Sequence, residues 1–288
     1  MKKSRLAKVL TVSLAALMVF GLASCGGGSG KVSDKDITVI SREEGSGTRD
    51  AFTELTGVLQ DDVDKTVDTA EISNSTSVVT QSVAGNDAAI GYISLGSLDD
   101  TVKAVKVDGV EATVDNIKSG DYKIQRPFNI VTKGEVKELP ADFIKFIMSK
   151  DGQKIIEDEG YISVNENAEA YKASGLKGSI TLAGSTSVSP VMEVLADKYK
   201  ELNSGVTIEI QQTGSGAGIQ STTEGVCDIG MASRELKDEE TSQGLKSEEI
   251  ALDGIAVIVN KDNGVEDLSM DQIMQIFTGE ITNWADVK

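Results

Sequence analysis

The sequence predicts an α/β fold built as two modest lobes. Short β-branched runs alternate with segments that carry apolar side chains at helical spacing, which indicates parallel strands connected by helices. About 260 residues follow the N-terminal leader described below, which is enough for two lobes of this class. Several of the predicted strands end in turns rich in glycine and hydroxyl side chains, so we expect a ligand at the carboxyl ends of the strands.

The N-terminus has the features of a bacterial lipoprotein signal. Basic residues precede an apolar run that is too short for a membrane-spanning helix, and Leu22-Ala23-Ser24-Cys25 matches the cleavage site of such signals. We predict a signal peptide over residues 1–24 and lipidation of Cys25. Residues 25–35 are predicted to form a flexible, glycine-rich tether. The mature protein is therefore expected to be extracytoplasmic and anchored to the cell membrane by lipid, unless the leader is an ordinary secretory signal with a coincidental cysteine.

Composition excludes several kinds of site. Histidine is absent from the 288 residues, which excludes Ser-His-Asp and Cys-His catalysis and His-ligated zinc. The formal net charge of -18 argues against nucleic acid as a partner, and it requires an anionic ligand to be held by local dipoles and charges. We predict no metal and no cofactor. Cys227 is expected to be a small buried side chain and not a nucleophile.

The first strand-turn-helix unit carries anion-binding groups. The β-branched run at residues 37–40 predicts a strand, and apolar side chains at helical spacing over residues 50–59 predict a helix. The turn Gly45-Ser46-Gly47-Thr48 lies between them, at a helix start that offers free backbone N–H groups. Arg42 adds a planar fork for pairs of oxygen atoms. A glycine-rich turn with a capping serine is the structural alternative.

The middle of the chain is predicted from local patterns taken in order. A polar cap over residues 73–77 leads into a helix, and residues 88–93 read as a buried strand. The remaining predicted elements are a strand and turn over 102–110, a helical turn over 114–118, an extended segment over 126–131, one helix from Pro140 to about Glu159, and a polar connector over 165–178.

The C-terminal half repeats the strand-turn-helix pattern. Strands predicted near residues 179–183 and 206–211 end in Gly184-Ser185-Thr186-Ser187 and Thr213-Gly214-Ser215-Gly216, each followed by a helical pattern. A strand ending near Ala232 leads into Ser233 and Arg234. Residues 250–260 predict another strand, and residues 269–277 a capped helix. Turns of one chemical type around residues 46, 186 and 215 favour a common anion pocket.

At these residues the chain resembles the phosphate-binding lipoproteins of bacterial ABC importers, the Pst-type members of the periplasmic binding protein class. The resemblance implies a two-lobed, hinged α/β fold and covers nearly all of the mature chain. The matching phrases lie at residues 42–49, 183–190, 213–218, 228–236 and 276–284.

The order of these phrases implies a circular permutation, because in the family the Gly-Ser-Thr-Ser phrase opens the protein. Residues 165–178 would join the family's usual ends, and the new ends would lie between Lys288 and Asp36. One lobe would then be residues 126–259 and the other residues 36–125 plus 260–288, with hinge crossings near Gln125 and Ile258. A truncated tandem duplication or a misjoined gene is the alternative.

The resemblance also implies a ligand set for phosphate. The residues that match the family's phosphate ligands are Thr186, Ser187 and Ser215 from one lobe, Arg42, Ser46, Gly47 and Thr48 from the other, and Ser233 with less support. Glu44 is expected to hold Arg42 by an ion pair, and Arg234 is a further supporting residue. Ser233 stands where some members have an acceptor aspartate, so selectivity could fall to Asp228 or Glu43.

The implied function is the capture of inorganic phosphate and its delivery to the permease and ATPase subunits of an ABC importer, without catalysis. Three alternatives remain at this point. The chain could bind another oxyanion, such as sulfate or molybdate, or a small solute; it could be a histidine-free hydrolase with Ser46 or Ser215 as nucleophile; or it could be a surface adhesin or signalling protein that keeps the fold.

Overall fold

The structure, a computed structural model, describes residues 34–287 as a mixed α/β protein, which confirms the predicted class. The signal peptide, Cys25 and most of the tether lie outside the described residues. The strands are β1 (Thr38–Arg42), β2 (Leu59–Gln60), β3 (Val63–Asp64), β4 (Glu71–Ser73), β5 (Ala89–Ser94), β6 (Val102–Ala104), β7 (Lys106–Val107), β8 (Gln125–Lys133), β9 (Ile162–Ser163), β10 (Gly178–Gly184), β11 (Val206–Gln212), β12 (Ile229–Ala232), β13 (Leu245–Asn260) and β14 (Asp267–Leu268). The helices are α1 (Gly47–Leu55), α2 (Thr76–Gly85), α3 (Val114–Lys118), α4 (Glu138–Ile147), α5 (Lys150–Asp158), α6 (Ser189–Leu202), α7 (Ser215–Glu224), α8 (Asp238–Thr241) and α9 (Met270–Thr278).

One long strand connects two groups of strands. The order along the sheet is β11-β10-β12-β8-β13-β5-β1-β4, and β13 pairs with β8 over Leu245–Gly254 and with β5 over Ile255–Val259. We call β11, β10, β12, β8 and the first part of β13 the first half-sheet. The rest of β13 with β5, β1 and β4 is the second half-sheet. The change of partner falls close to the crossings predicted at Gln125 and Ile258.

Each half-sheet has its own buried core. In the second half-sheet, Phe52 of α1 stacks on Tyr92 of β5 with ring centroids 3.9 Å apart, and Phe277 of α9 packs against both rings. In the first half-sheet, Phe143 of α4 meets Tyr199 of α6 edge to face at 5.0 Å. Such pairs stabilise a core beyond the area they bury. The two cores fix the helices whose N-termini form the site.

The helix predicted from Pro140 to about Glu159 is in fact two helices. α4 ends at Ile147 and α5 begins at Lys150, with Ser149 between them as the N-cap of α5. The Ser149 hydroxyl accepts from the Gly152 amide at 3.3 Å. A serine that satisfies a free amide in this way favours a new helix start over continuation, so a single helix was the wrong prediction.

The first and last described segments lie side by side. Asp36 and Asn283 form an antiparallel bridge, and the Ile37 amide donates to the Thr282 carbonyl at 2.8 Å. The Trp284 amide donates to the Lys35 carbonyl at 3.0 Å. Chain ends that meet at a surface are compatible with a permuted order, because they can be joined or cut with little change to the fold.

Asp142 is one of several side chains that fasten the predicted connector over residues 165–178 to the first half-sheet. Asp142 of α4 accepts from the Tyr171 hydroxyl at 2.5 Å and from the Ser174 hydroxyl at 2.8 Å. The Tyr199 hydroxyl of α6 donates to the same oxygen at 2.7 Å. Desolvation acts to raise the pKa of Asp142, but the hydrogen bonds from Tyr171, Tyr199 and Ser174 outweigh it and hold the pKa below 3.8.

We expect Asp142→Asn to lower the free energy of unfolding by about 1–2 kcal/mol at pH 7, because the amide weakens three hydrogen bonds to a charged acceptor. The folded-state pKa lies below the unfolded one, so this stabilisation is complete above the unfolded pKa and is lost as the pH falls through the folded pKa. Urea unfolding at pH 7 and pH 3 measures both. A difference between wild type and variant that is as large at pH 3 as at pH 7 would contradict the assignment.

Within residues 34–287, no helix combines the length and the apolar character needed to cross a membrane.

Candidate functional site

Five loops from both half-sheets meet at the carboxyl ends of their strands. α1 starts at Gly47 after β1, α2 at Thr76 after β4, α6 at Ser189 after β10, and α7 at Ser215 after β11. The loop after β12 brings Ser233. The polar side chains of these loops are almost fully buried, with at most 5% of their surface exposed: Arg42, Ser46, Thr48, Thr76, Ser185, Thr186, Ser187, Ser215 and Ser233. Four helix N-termini therefore direct partial positive charge to one buried polar region.

Arg42 connects the two half-sheets within this region. Its Nε and Nη2 donate to the two carboxylate oxygens of Glu43, each at 2.8 Å. Nη2 also donates to Oγ1 of Thr186, 3.1 Å away in the loop after β10. The Arg42 side chain is 2% exposed and that of Glu43 25% exposed. The guanidinium is thus buried among hydroxyl groups, whereas its carboxylate partner reaches solvent.

Hydroxyl and backbone contacts join the same two half-sheets at other points. Thr48 Oγ1 of α1 lies 2.9 Å from Ser187 Oγ. The Gly216 amide of α7 donates to the Gly45 carbonyl at 2.9 Å. A Cβ atom on Gly47 would lie 2.5 Å from Ser215 Oγ, so the N-termini of α1 and α7 approach as closely as glycine allows.

Three serine hydroxyls of the first half-sheet form a hydrogen-bonded chain. Ser185 Oγ accepts from the amides of Ser187 and Val188, so its hydrogen is donated to Ser233 Oγ at 3.0 Å. Ser233 Oγ in turn lies 3.3 Å from Ser215 Oγ, which also accepts the Ser233 amide at 3.2 Å. Either of these two hydroxyls can donate to the other, and when Ser233 is the donor the hydrogen of Ser215 is free for a further acceptor.

The site is rich in donors and suits a small anion. Hydroxyl groups, helix N-termini and a buried guanidinium are the groups that bind tetrahedral oxyanions in a region shielded from water. Among residues 34–287 no cluster of three or more cysteine, aspartate or glutamate side chains is arranged to hold a metal ion. An anion bound at the helix N-termini would meet the neutral hydroxyl donors and Arg42.

The structure brings together all eight predicted ligand residues, and it adds one that the sequence analysis assigned only to a helix cap. Thr76 Oγ1 lies 3.2 Å from Thr186 Oγ1, 3.1 Å from Ser187 Oγ and 3.4 Å from Arg42 Nη1. Its position follows from the parallel pairing of β1 with β4, which places Ser73 opposite Arg42. The hydroxyl-rich run before a helix was the available signal.

We expect Thr76→Val to weaken oxyanion binding about tenfold, because a buried hydroxyl that donates to the cluster is lost while the side-chain shape is kept. Ser77→Ala on the same turn is the matched control, since Ser77 is exposed and its hydroxyl contacts Ser75. Titration calorimetry gives both affinities. Equal affinities for the two variants would exclude Thr76 from the site.

The predicted supporting residues need correction. Glu44 is exposed, and the ion pair with Arg42 is made by Glu43 instead, so the prediction for Glu44 was wrong. The turn through Gly45, with φ of 80°, carries the chain away from Arg42 after Glu43. Asp228 cannot be an acceptor in the site, because it precedes β12 at the opposite end of the strand and pairs with Lys137 at 2.9 Å.

A buried ion pair lies beneath the site where the half-sheets join. Arg126 Nη2 of β8 is 3.1 Å from Asp253 Oδ2 of β13, and its Nη1 donates to the Ser233 carbonyl at 3.3 Å. Ser94 at the end of β5 donates to the other oxygen of Asp253 at 2.9 Å. Burial raises the pKa of Asp253 to about 6, against the opposing effects of Arg126 and Ser94. This pair fixes the backbone that carries Ser233.

Comparison with known proteins places this geometry in a family. A family model described as a PBP superfamily domain matches residues 29–151 and 169–288. The phosphate-binding protein PstS 2 of Streptococcus agalactiae serotype V is 51% identical over 294 residues, which cover 100% of this chain and 99% of that protein. The chain belongs to the PstS family of the PBP superfamily. This membership accounts for the two-lobed α/β architecture.

A solved structure agrees with the PstS assignment. The crystal structure of a phosphate-binding protein of a phosphate ABC transporter from Streptococcus pneumoniae TIGR4 is 49% identical in sequence. The structural match covers 88% of this chain and 100% of the Streptococcus pneumoniae chain, with a TM-score of 0.72. The likeness to the phosphate-binding protein PstS of Bacillus subtilis is more limited: 37% identity over 128 residues, which is 43% of this chain and 43% of that protein. The Streptococcus agalactiae protein thus matches this chain from end to end, whereas the Bacillus subtilis protein matches less than half of it.

Proposed function

We propose that this protein binds inorganic phosphate between its two half-sheets and delivers it to the permease and ATPase subunits of an ABC importer. The observation that carries the proposal is the buried contact between Arg42 and Thr186, from opposite half-sheets, among hydroxyls at four helix N-termini. The proposed ligands are Arg42, Ser46, Gly47, Thr48, Thr76, Thr186, Ser187, Ser215 and Ser233. The printed names of the PstS relatives, which describe phosphate-binding proteins, support the choice of ligand.

Binding would exchange one anion for another at Arg42. Glu43 holds the guanidinium through two oxygens but is a quarter exposed, so it can be rehydrated when phosphate takes its place. Phosphate oxygens would then accept from the Arg42 fork and from hydroxyls of both half-sheets. Because donors from both sides contact one ligand, binding would favour the closed arrangement, which is the form that a permease can distinguish.

The test is titration calorimetry of the mature protein with phosphate, arsenate, sulfate and molybdate. We expect one phosphate per chain and weaker binding of sulfate and molybdate. Phosphate keeps a proton near neutral pH and sulfate does not, so phosphate can donate a hydrogen bond as well as accept from the donors of the site. Tighter binding of sulfate or molybdate than of phosphate would show that the protein's ligand is another oxyanion. Absence of binding to all four would refute the proposed function.

We propose that the serines act as hydrogen-bond donors and not as nucleophiles. The chain contains no histidine to serve as their base, and Ser215 and Ser233 contact one another. Incubation with a chromogenic phosphate ester is expected to give no turnover. The hydrolase alternative would be supported if the wild-type protein released the chromophore and Ser215→Ala did not.

We also propose that the chain is a circular permutant anchored outside the cytoplasm through lipidated Cys25. The adjacent ends at Asp36 and Asn283 support the permuted order. End-to-end similarity to the Streptococcus agalactiae protein argues against an isolated misjoined gene. Mass spectrometry of the membrane-bound protein tests the anchor, and a diacylglyceryl group is expected on Cys25. An unmodified Cys25 would indicate an ordinary secretory signal instead of a lipoprotein signal.

A further inference from the structure

A network of four charged side chains spans the half-sheets beside the site, and no ligand group belongs to it. Arg234, directly after Ser233, donates through Nη1 and Nη2 to the two oxygens of Glu240, each at 2.8 Å. Its Nε lies 2.9 Å from Oδ2 of Asp50 in the first turn of α1. Lys237 Nζ lies 3.6 Å from the same oxygen. The network therefore joins the loop after β12 to the helix that begins at Gly47.

The two members that meet across the half-sheets, Arg234 and Asp50, each lie next to a ligand residue. Arg234 is covalently next to Ser233, and its Nη1 donates to the Glu235 carbonyl at 2.7 Å, so the guanidinium is attached to the loop after β12. The Asp50 amide donates to the Ser46 carbonyl at 2.9 Å, which couples Asp50 to the first turn of α1. Separation of the half-sheets would break the Arg234–Asp50 contact while leaving Arg234–Glu240, which lies within one loop and helix, intact.

Resting on the function proposed above, we infer that Arg234 and Asp50 are positioning residues that hold the half-sheets together around the ligand and set its rate of release. Glu240 keeps the guanidinium extended toward Asp50, so little side-chain freedom is lost when the contact forms. The pair borders a cavity of about 430 Å³ that is lined from both half-sheets, among others by Leu55, Gln125 and Leu236. The contacting atoms, Oδ2 of Asp50 and Nε of Arg234, are both buried, so salt screens the pair only weakly.

The chain supplies a closely matched control on the same helix. Arg49, the residue before Asp50, makes an ion pair with Asp64 between Nε and Oδ2 at 2.7 Å. Asp64 and Asp50 are similarly exposed, at 25% and 28%. Both partners of the Arg49–Asp64 pair lie on the side of the second half-sheet, so this pair is not broken when the half-sheets separate.

Stopped-flow release of phosphate from Asp50→Asn and Asp64→Asn separates a positioning role from a structural one. We expect Asp50→Asn to raise the dissociation rate about tenfold and Asp64→Asn to change it less than twofold. The melting temperatures of both variants are measured as well, and equal values would exclude general destabilisation as the cause of faster release. Equal dissociation rates for the two variants would overturn the inference.

Hydrogen exchange of the free protein gives a second measurement that does not depend on the ligand. In Asp50→Asn, amides of α1 and of residues 233–240 are expected to exchange faster together, because both sides of the contact are released. In Asp64→Asn, the change should stay within α1 and residues 59–66. Unchanged exchange over residues 233–240 in Asp50→Asn would refute the link even if no oxyanion bound. Coupled exchange without phosphate binding would refute the proposed function alone.

Discussion

Replacing Arg42 by alanine is expected to weaken phosphate binding about a thousandfold, or about 4 kcal/mol, because the change removes a buried, charge-assisted donor pair from the ligand. Arg42 is 2% exposed, and its Nη2 contacts Thr186 from the opposite half-sheet. The change also leaves Glu43 without its partner, which adds a negative charge next to the anion. Titration calorimetry at constant ionic strength measures the loss.

Two further variants separate the position of this charge from its mere presence. Arg42→Lys keeps the charge but loses the planar fork, so we expect an intermediate loss of about a hundredfold. Lys198→Ala removes one positive charge from the exposed face of α6 and should leave the affinity within about twofold. Wild-type affinity in Arg42→Ala would show that Arg42 does not bind the ligand. Equal losses of affinity in Arg42→Ala and Lys198→Ala would show that Arg42 contributes only to the net charge of the protein.

Gly47→Ala is the second change with a large expected effect. An alanine Cβ at this position would lie 2.5 Å from Ser215 Oγ and 2.8 Å from Ser233 Oγ, so the half-sheets could not close to the same separation. Overpacking of a tight contact costs about 1–3 kcal/mol, which predicts phosphate binding weaker by roughly a hundredfold at the upper end. Alanine is at least as favourable as glycine in a helix, so the melting temperature should not fall.

Gly85→Ala is the control for the same chemical change. Gly85 ends α2, and an added Cβ there meets no heavy atom within 4 Å. We expect normal affinity and an unchanged or higher melting temperature. If Gly47→Ala bound phosphate as tightly as Gly85→Ala does, the approach of α1 to Ser215 would not be part of the bound state.

The anion-binding turns could be predicted from the sequence because their signals are local. A β-branched run, then glycine and hydroxyl residues, then helical spacing occur within about a dozen residues around Ser46, Thr186 and Ser215, and each turn is found at a helix start. The predicted helices over residues 114–118 and 269–277 match α3 and α9 for the same reason. The shared chemistry of these turns favours one common pocket, and the family resemblance adds the identity of the ligand residues, which periodicity alone could not supply.

The features that the sequence analysis missed depend on contacts between distant residues or on side-chain direction. Thr76 joins the site only because β4 pairs with β1, a register set by tertiary packing. Glu43 and Glu44 are adjacent, and only the direction of the turn through Gly45 decides which of them faces Arg42. The interruption between α4 and α5 rests on one serine that could equally lie within a helix. Composition and spacing alone do not decide these choices.

A crystal structure of the mature protein grown with phosphate tests most directly whether one oxyanion is held by both half-sheets. We expect a single phosphate with its oxygens about 2.7–3.1 Å from the Arg42 guanidinium and from hydroxyls of Thr48, Thr186 and Ser215, and with Arg234 still next to Asp50. Phosphate bound at another surface, or bound to hydroxyls of one half-sheet while Arg42 keeps its pair with Glu43, would contradict this.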